Sequence, residues 1–121
     1  MANYFVNQGL AATTTALSSV ITWLAVGTGT GAPAKTDTAL GAAIVDSGLA
    51  AGAATVTQQT TTATNDTLRL AKTWTGTGNK AVTEIAAEKS DGTLYARCLF
   101  TSTKNVSNGD SLAGTINIVF V

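Results

Sequence analysis

A chain of 121 residues has room for one domain with a real core and none for a second. Seven Lys and Arg balance seven Asp and Glu, so the formal charge is zero and no cationic surface forms of the kind that nucleic-acid phosphates require. Hydrophobic residues make up 45% and Thr supplies much of the rest, which excludes a disordered chain, while the absence of His removes the commonest general base and metal ligand together.

Met1 to Phe5 has no basic flank and no long apolar run, so neither a signal peptide nor a membrane span is expected, and synthesis in the cytoplasm is the default. Asn3 to Gly9 reads as a terminal strand or an arm. Leu10 to Ser19 has a weak helical pattern that the β-branched Thr13-Thr14-Thr15 opposes, so it is a short helix or irregular. Residues 1–19 thus form an arm or short helix ahead of a β-domain over 20–121. This stretch has the least self-contained pattern, which makes Asn3, Tyr4 and Phe5 candidates for contact with a neighbour. Val20 to Val26 is nearly all apolar and predicts a strand covered on both faces, with Trp23 in the core. Gly27-Thr28-Gly29-Thr30-Gly31-Ala32-Pro33 looks like a phosphate loop but lacks the Lys-Ser/Thr that reaches phosphate and Mg²⁺, so it reads as a glycine-rich loop. Thr36-Asp37-Thr38-Ala39-Leu40 predicts a capped helix of about two turns, limited by Gly41 and Gly48.

Ala53 to Thr62 predicts a polar strand, Ala63 to Asp66 a turn, and Thr67 to Trp74 a returning strand with Leu68, Leu70 and Trp74 on one face. After a linker over Thr75–Lys80, Asp91-Gly92 stands between two alternating runs and predicts a hairpin with a two-residue type I′ turn. That register sets Ser90 opposite Thr93, Ala87 opposite Ala96, Ile85 opposite Cys98 and Thr83 opposite Phe100. Thr83, Ile85, Ala87, Ala96, Cys98 and Phe100 then face inward, while Glu84, Glu88, Tyr95, Arg97 and Leu99 face out. The last strand carries Leu112, Ile116, Ile118 and Phe120 on one face. A tight turn at Asn108-Gly109 would pair an inward residue with an outward one. Lys104 to Asp110 is therefore a bulged or longer connection, or a crossing to a facing sheet. Six or seven short strands with glycine-rich turns indicate an all-β, antiparallel sandwich or barrel with one or two short helices in the N-terminal half.

Little in this chain carries chemistry. The five Asp residues, 37, 46, 66, 91 and 110, sit at turns where Asp caps local backbone, and none has calcium-loop spacing. Glu84 and Glu88 share a strand face as a glycosidase pair would, but Arg97 between them is expected to hold both ionised, whereas an acid catalyst needs a raised pKa. Cys98 is a single cysteine on the inward face, read as a small buried hydrophobe. Trp23, Trp74 and Tyr95 are the possible sugar-stacking rings; Trp74 and Tyr95 join Asn3, Tyr4 and Phe5 as candidate interaction residues. No catalytic residue, metal, cofactor or small-molecule substrate is expected.

Trp23-Leu24-Ala25-Val26-Gly27-Thr28-Gly29-Thr30-Gly31-Ala32-Pro33 followed by Thr36-Asp37-Thr38-Ala39-Leu40 resembles a pattern common in small virion proteins of tailed bacteriophages. Ala81-Val82-Thr83-Glu84-Ile85, Leu94-Tyr95-Ala96-Arg97 and Asn108-Gly109-Asp110-Ser111-Leu112 match the same pattern, which covers Trp23 to the C-terminus through gaps. Such chains often carry an acidic residue and an arginine after the Asp-Thr-Ala-Leu helix, where this one has Gly41-Ala42-Ala43-Ile44-Val45. The resemblance implies a jelly-roll-like sandwich and a structural role without catalysis. Head decoration, as a cement protein on the shell, is the first expectation. A tail, neck or fibre accessory protein is the second, and a carbohydrate-binding module the third. Its expected partners are the major capsid protein or other virion proteins and further copies of itself, as a trimer, with no nucleic acid and no membrane. Its expected location is the virion, assembled in the host cytoplasm.

Overall fold

A computed structural model describes residues Asn3–Val121; Met1 and Ala2, the first residues of the expected arm, lie outside the described residues. The elements are a helix α1 (Asn7–Leu17) and strands β1 (Trp23–Gly27), β2 (Gly52–Ala53), β3 (Thr55–Gln59), β4 (Thr67–Thr75), β5 (Lys80–Glu88), β6 (Leu94–Val106) and β7 (Ser111–Val119). They build two antiparallel sheets, one in the order β2-β1-β5-β6 and one in the order β3-β4-β7. Leu24 and Val26 of β1 and Ile85 of β5 meet Leu68, Leu70 and Trp74 of β4 and Leu112 and Ile116 of β7 in one core, so the sheets face each other in a sandwich-like arrangement. Each fully buried Leu or Ile there contributes about 1.5–3 kcal/mol relative to exposure.

The chain changes sheets at three places. At Ala54 the expected single strand over 53–62 splits, so that β2 pairs with β1 while β3 pairs with β4. Gly76–Asn79 and Ser107–Asp110 make the other crossings, and they are tied together: Gly109 N–H donates to Gly76 O (2.8 Å) and Gly76 N–H to Asp110 O (2.7 Å). The stretch at Asn108-Gly109 is thus a crossing between sheets, one of the alternatives expected for Lys104–Asp110, although Lys104–Val106 still belong to β6, and β7 pairs with β4 in place of β6.

The hairpin keeps its central register, with Ile85 opposite Cys98 and Ala87 opposite Ala96, but three details differ. The turn is not type I′, because only Gly92 has positive φ (92°); Gly92 N–H closes on Lys89 O and Lys89 N–H on Thr93 O, a type I turn followed by a glycine bulge. Asp91 selects it by accepting from the Thr93 N–H (2.9 Å) and hydroxyl (2.7 Å). A second bulge, between Ala87 and Glu88, restores the expected pairing. A third, between Val82 and Glu84, breaks the expected Thr83–Phe100 pair: Val82 stands opposite Lys104 and enters the core, and the Thr83 hydroxyl turns to Gly29 O. Cys98, expected inside, is exposed on β6, the edge strand of its sheet, although Ala96 and Phe100, which share its parity, pack against the core. Gly92→Ala is expected to destabilise by about 1 kcal/mol or more, read from the urea midpoint, since no atom lies within 4 Å of the added Cβ and the whole cost is backbone strain.

Helix α1 forms despite its threonines. Thr13 and Thr15 return their hydroxyls to carbonyls four residues back, and Thr14, fully buried, donates to Asn65 O (2.7 Å) and accepts from Gln58 Nε2 (2.7 Å). Tertiary docking overrides propensity, so residues 7–17 belong to the body, and among the described residues Asn3–Val6 lie exposed ahead of it. The second expected helix is absent. Residues 36–40 are irregular because Asp37 caps only the Ala34 N–H locally (2.8 Å) and spends the same oxygen on Arg97, far away in sequence.

Candidate functional site

β1 is buried on both faces, as its apolar run predicts. Leu24 and Val26 point into the core, while Ala25 and Gly27 point outward beside their partners Ala86 and Glu84 on β5. These small residues leave a trough on the outer face of the four-stranded sheet, and the long β1–β2 connection lies over it. An ideal Cβ on Gly27 would sit 2.5 Å from Glu84 Oε2 and 2.6 Å from Ala42 O, so glycine is required there by close approach; Gly29 meets the same carboxylate.

Glu84 lies fully buried at the bottom of the trough. Its Oε2 accepts from the N–H groups of Gly29 (2.6 Å) and Ala42 (2.8 Å), and its Oε1 from Gly41 N–H (2.8 Å) and Arg97 Nε (3.0 Å). Arg97 reaches over from β6 and spends its other donors on the same loop, Nη1 on Asp37 Oδ2 (3.0 Å) and Nη2 on Gly31 O (2.7 Å). The glycine-rich loop does cradle an anion with its amides, and that anion is the protein's own carboxylate. The acid–base–acid cluster is thus Glu84–Arg97–Asp37, with Glu84 buried beneath the loop and Asp37, on the loop itself, partly exposed. Glu84–Arg97–Glu88 on an open face, the arrangement expected from sequence, does not form. The bulge after Ala87 sets Glu88 opposite Leu94, and the loop delivers Asp37 to the place that Glu88 had been given.

Burial alone would raise the Glu84 carboxyl, but the amides of Ala42, Gly41 and Gly29 together with Arg97 outweigh it and hold it below its ordinary value. The Ala34 amide and Arg97 hold Asp37 low as well, and Glu84 foremost raises Arg97. All three groups stay charged near neutral pH, held by ion pairs and backbone amides, so none of them is poised to give or take a proton. Glu88 behaves in the opposite way, pushed up by burial. A carboxyl lowered by folding stabilises above its unfolded pKa, and that contribution disappears as pH falls through the folded value. A raised carboxyl opposes folding at neutral pH and stops opposing it as pH falls. Urea midpoints should therefore drop once pH falls below the ordinary carboxylate range, about 4, and keep dropping as it approaches the lowered values of Glu84 and Asp37. Glu88→Gln should raise the midpoint at pH 7, with the gain shrinking towards pH 4.

Of the candidate interaction residues, Asn3, Tyr4 and Phe5 are exposed in non-helical chain ahead of α1, Tyr4 at 83%. Tyr95 is 45% exposed and lines an open groove of about 590 Å³ between β6 and the Pro33–Asp37 stretch. Trp74 is a correction: only 4% exposed, it sits in the core of the other sheet with its Nε1–H on Ala50 O (3.0 Å), so its ring is not available to a partner. Trp23, expected in the core, is only half-buried and has the outward parity of Ala25 and Gly27. The structure does not bring the three rings to one surface.

Sequence reasoning missed Asp37 as a partner of Arg97, 60 positions away, and no local signal marks such a pair. The turn role expected of the Asp residues is seen at Asp66, which accepts from the amides of Thr61, Thr62 and Ala63, and at Asp110, which accepts from Ser107. Among the described residues no three His, Cys, Asp or Glu side chains gather as metal ligands, and no helix is long and apolar enough to cross a membrane. The chain matches no protein-family model, no curated protein and no solved structure.

Proposed function

We propose that the protein is a non-enzymatic structural component of a tailed-phage virion, foremost a head decoration protein that binds the major capsid protein and stabilises the shell after assembly in the host cytoplasm. The observation that carries this reading is convergence. Trp23–Pro33, Thr36–Leu40, Ala81–Ile85 and Leu94–Arg97, the blocks that carry the resemblance to such proteins, supply Gly29, Asp37, Glu84 and Arg97 to one buried latch. The resemblance therefore concerns one structural unit whose product is a fixed surface loop, as a binding protein without chemistry needs. The near-zero charge fits a life packed against neighbours. A trimer belongs to the same reading, as does a jelly-roll form of the two-sheet architecture, for which seven strands in two antiparallel sheets give support.

Weak single contacts suffice for such a protein, because engaging several capsomers multiplies affinity through effective concentration. The test is copy number and position in purified particles. Hundreds of copies on the head, and shells that rupture at milder osmotic shock when the protein is missing, are expected. A few copies at the neck or tail would replace this reading by the tail or fibre one. Absence from particles, with polysaccharide binding lost in Tyr95→Ala, would replace it by the carbohydrate-binding one.

A further inference from the structure

Asn108-Gly109 is the one Asn-Gly pair in the chain, and it sits where the two sheets are joined. Both residues are exposed, so water has access to the Asn108 carboxamide. A backbone nitrogen can attack the side-chain carbonyl carbon of the Asn before it, and Gly, with no Cβ, supplies the least obstructed nitrogen. A Cβ on Gly109 would meet nothing within 4 Å, so no packed neighbour shields the pair.

The restraint on this pair comes from the main chain. Asp110 N–H closes a turn on Ser107 O (3.0 Å), and at its centre only Gly109 has positive φ (88°), the type II form. That form extends Asn108 and turns the Gly109 nitrogen away from its Cβ, whereas ring closure needs the two eclipsed. The Gly109 N–H is itself donated to Gly76 O (2.8 Å), so the attacking atom is occupied and its proton is held. Ser107 N–H clamps the turn a second time by donating to Asp110 Oδ2 (2.8 Å). Asp91-Gly92, the comparable pair in the hairpin, is chemically blunter. Asp91 is an ionised carboxylate, held low by the Thr93 amide and hydroxyl, and a carboxylate carbon resists attack.

We propose that Asn108 is a self-modification site that deamidates only when the tie between Gly76 and Gly109 opens. The Gly109 nitrogen bonds to Asn108 Cγ, the Cγ–Nδ2 bond breaks, and Nδ2 leaves as ammonia with the proton of the Gly109 N–H. Water then opens the five-membered imide, and nothing is oxidised or reduced. Addition at Cγ restores the ordinary main chain with an aspartate at this position. Addition at the backbone carbonyl leaves an isoaspartate, whose main chain runs through Cβ and Cγ and is one atom longer. Either product sets a new carboxylate in the turn beside Asp110, and the longer one displaces the Gly109 N–H from Gly76 O. A transient opening of the joint is thereby made permanent. The inference stands apart from the virion reading, and either can fail alone.

The conversion is followed by peptide mass spectrometry on the full chain at mildly alkaline pH, folded and in guanidinium chloride. The folded chain is expected to convert at least about tenfold more slowly, a ratio set by how seldom the tie opens. Hydrogen exchange of the Gly109 amide should be slowed by a matching factor, because one opening event frees both reactions. Asp110→Ala removes the clamp on Ser107 N–H without crowding the joint, and should bring the folded rate closer to the unfolded one. Chain aged in the folded state should unfold at lower denaturant than fresh chain, and Asn108→Ser should lose that shift. Equal rates in the folded and unfolded chain would overturn the proposal. So would conversion of another Asn ahead of Asn108 in the folded chain, or an unfolded chain that stays unconverted at Asn108. An Asp110→Ala chain with the wild-type ratio of folded to unfolded rates would overturn it as well.

Discussion

Glu84→Ala should lower stability by about 3–5 kcal/mol, read as the loss in urea midpoint multiplied by an unchanged m-value. The truncated carboxylate leaves the Arg97 guanidinium with one acidic partner in place of two and strands the amides of Gly29, Gly41 and Ala42. Stranding buried groups, more than losing a contact, sets the size of the effect. Glu84→Gln keeps the shape but offers an NH₂ where donors already converge, so it should fall between wild type and Ala. Hydrogen exchange would show the loop amides of Gly29, Gly41 and Ala42 exposed in both variants. A change below about 0.5 kcal/mol, the range of ordinary surface substitutions, would mean that the loop is held by something other than this carboxylate.

Trp74→Ala should cost about 3–5 kcal/mol as well, for a different reason. The indole fills the space between the sheets beside Gly114, where an added Cβ would come within 2.9 Å of Trp74 Cζ3. It also satisfies Ala50 O and carries Lys72 Nζ over its face at 5.5 Å. Tyr95→Ala, by contrast, should stay within about 0.5 kcal/mol. The pair separates packing from recognition: a glycan assay that fails with Trp74→Ala while circular dichroism shows native structure would contradict the burial described above.

Much of the strand plan was legible because period-two alternation is local. Leu68, Leu70 and Trp74, and Leu112 and Ile116, face the core as their spacing requires, and Ile85–Cys98 follows from the Asp91-Gly92 punctuation. Burial was harder to read than register. Cys98 has the inward parity and is nevertheless exposed, because parity does not tell how completely an edge strand is covered. Glu84 has the outward parity and is fully buried, because a loop that begins 55 residues earlier covers it. The same loop accounts for the helix expected at Thr36: a capping pattern is a local preference, and a salt bridge to Arg97 outcompetes it. What the sequence hid was the third layer over the outer face, which is made of backbone and has no hydrophobic period to announce it.

Beyond Ala42 the β1–β2 connection is anchored by Ile44 and Leu49 in the core, but the part over Glu84 is gripped by its main chain. Glu84 holds the amides of Gly29, Gly41 and Ala42, and Arg97 holds the carbonyl of Gly31, so Asp37 is the one loop side chain in the grip. Thr28, Thr30, Ala32, Lys35, Thr36 and Thr38 all point to solvent. Shape and surface identity are therefore specified by separate sets of residues. Successive rewriting of those six positions can alter what the loop presents while its path stays fixed, which gives the molecule a durable frame for a changeable face.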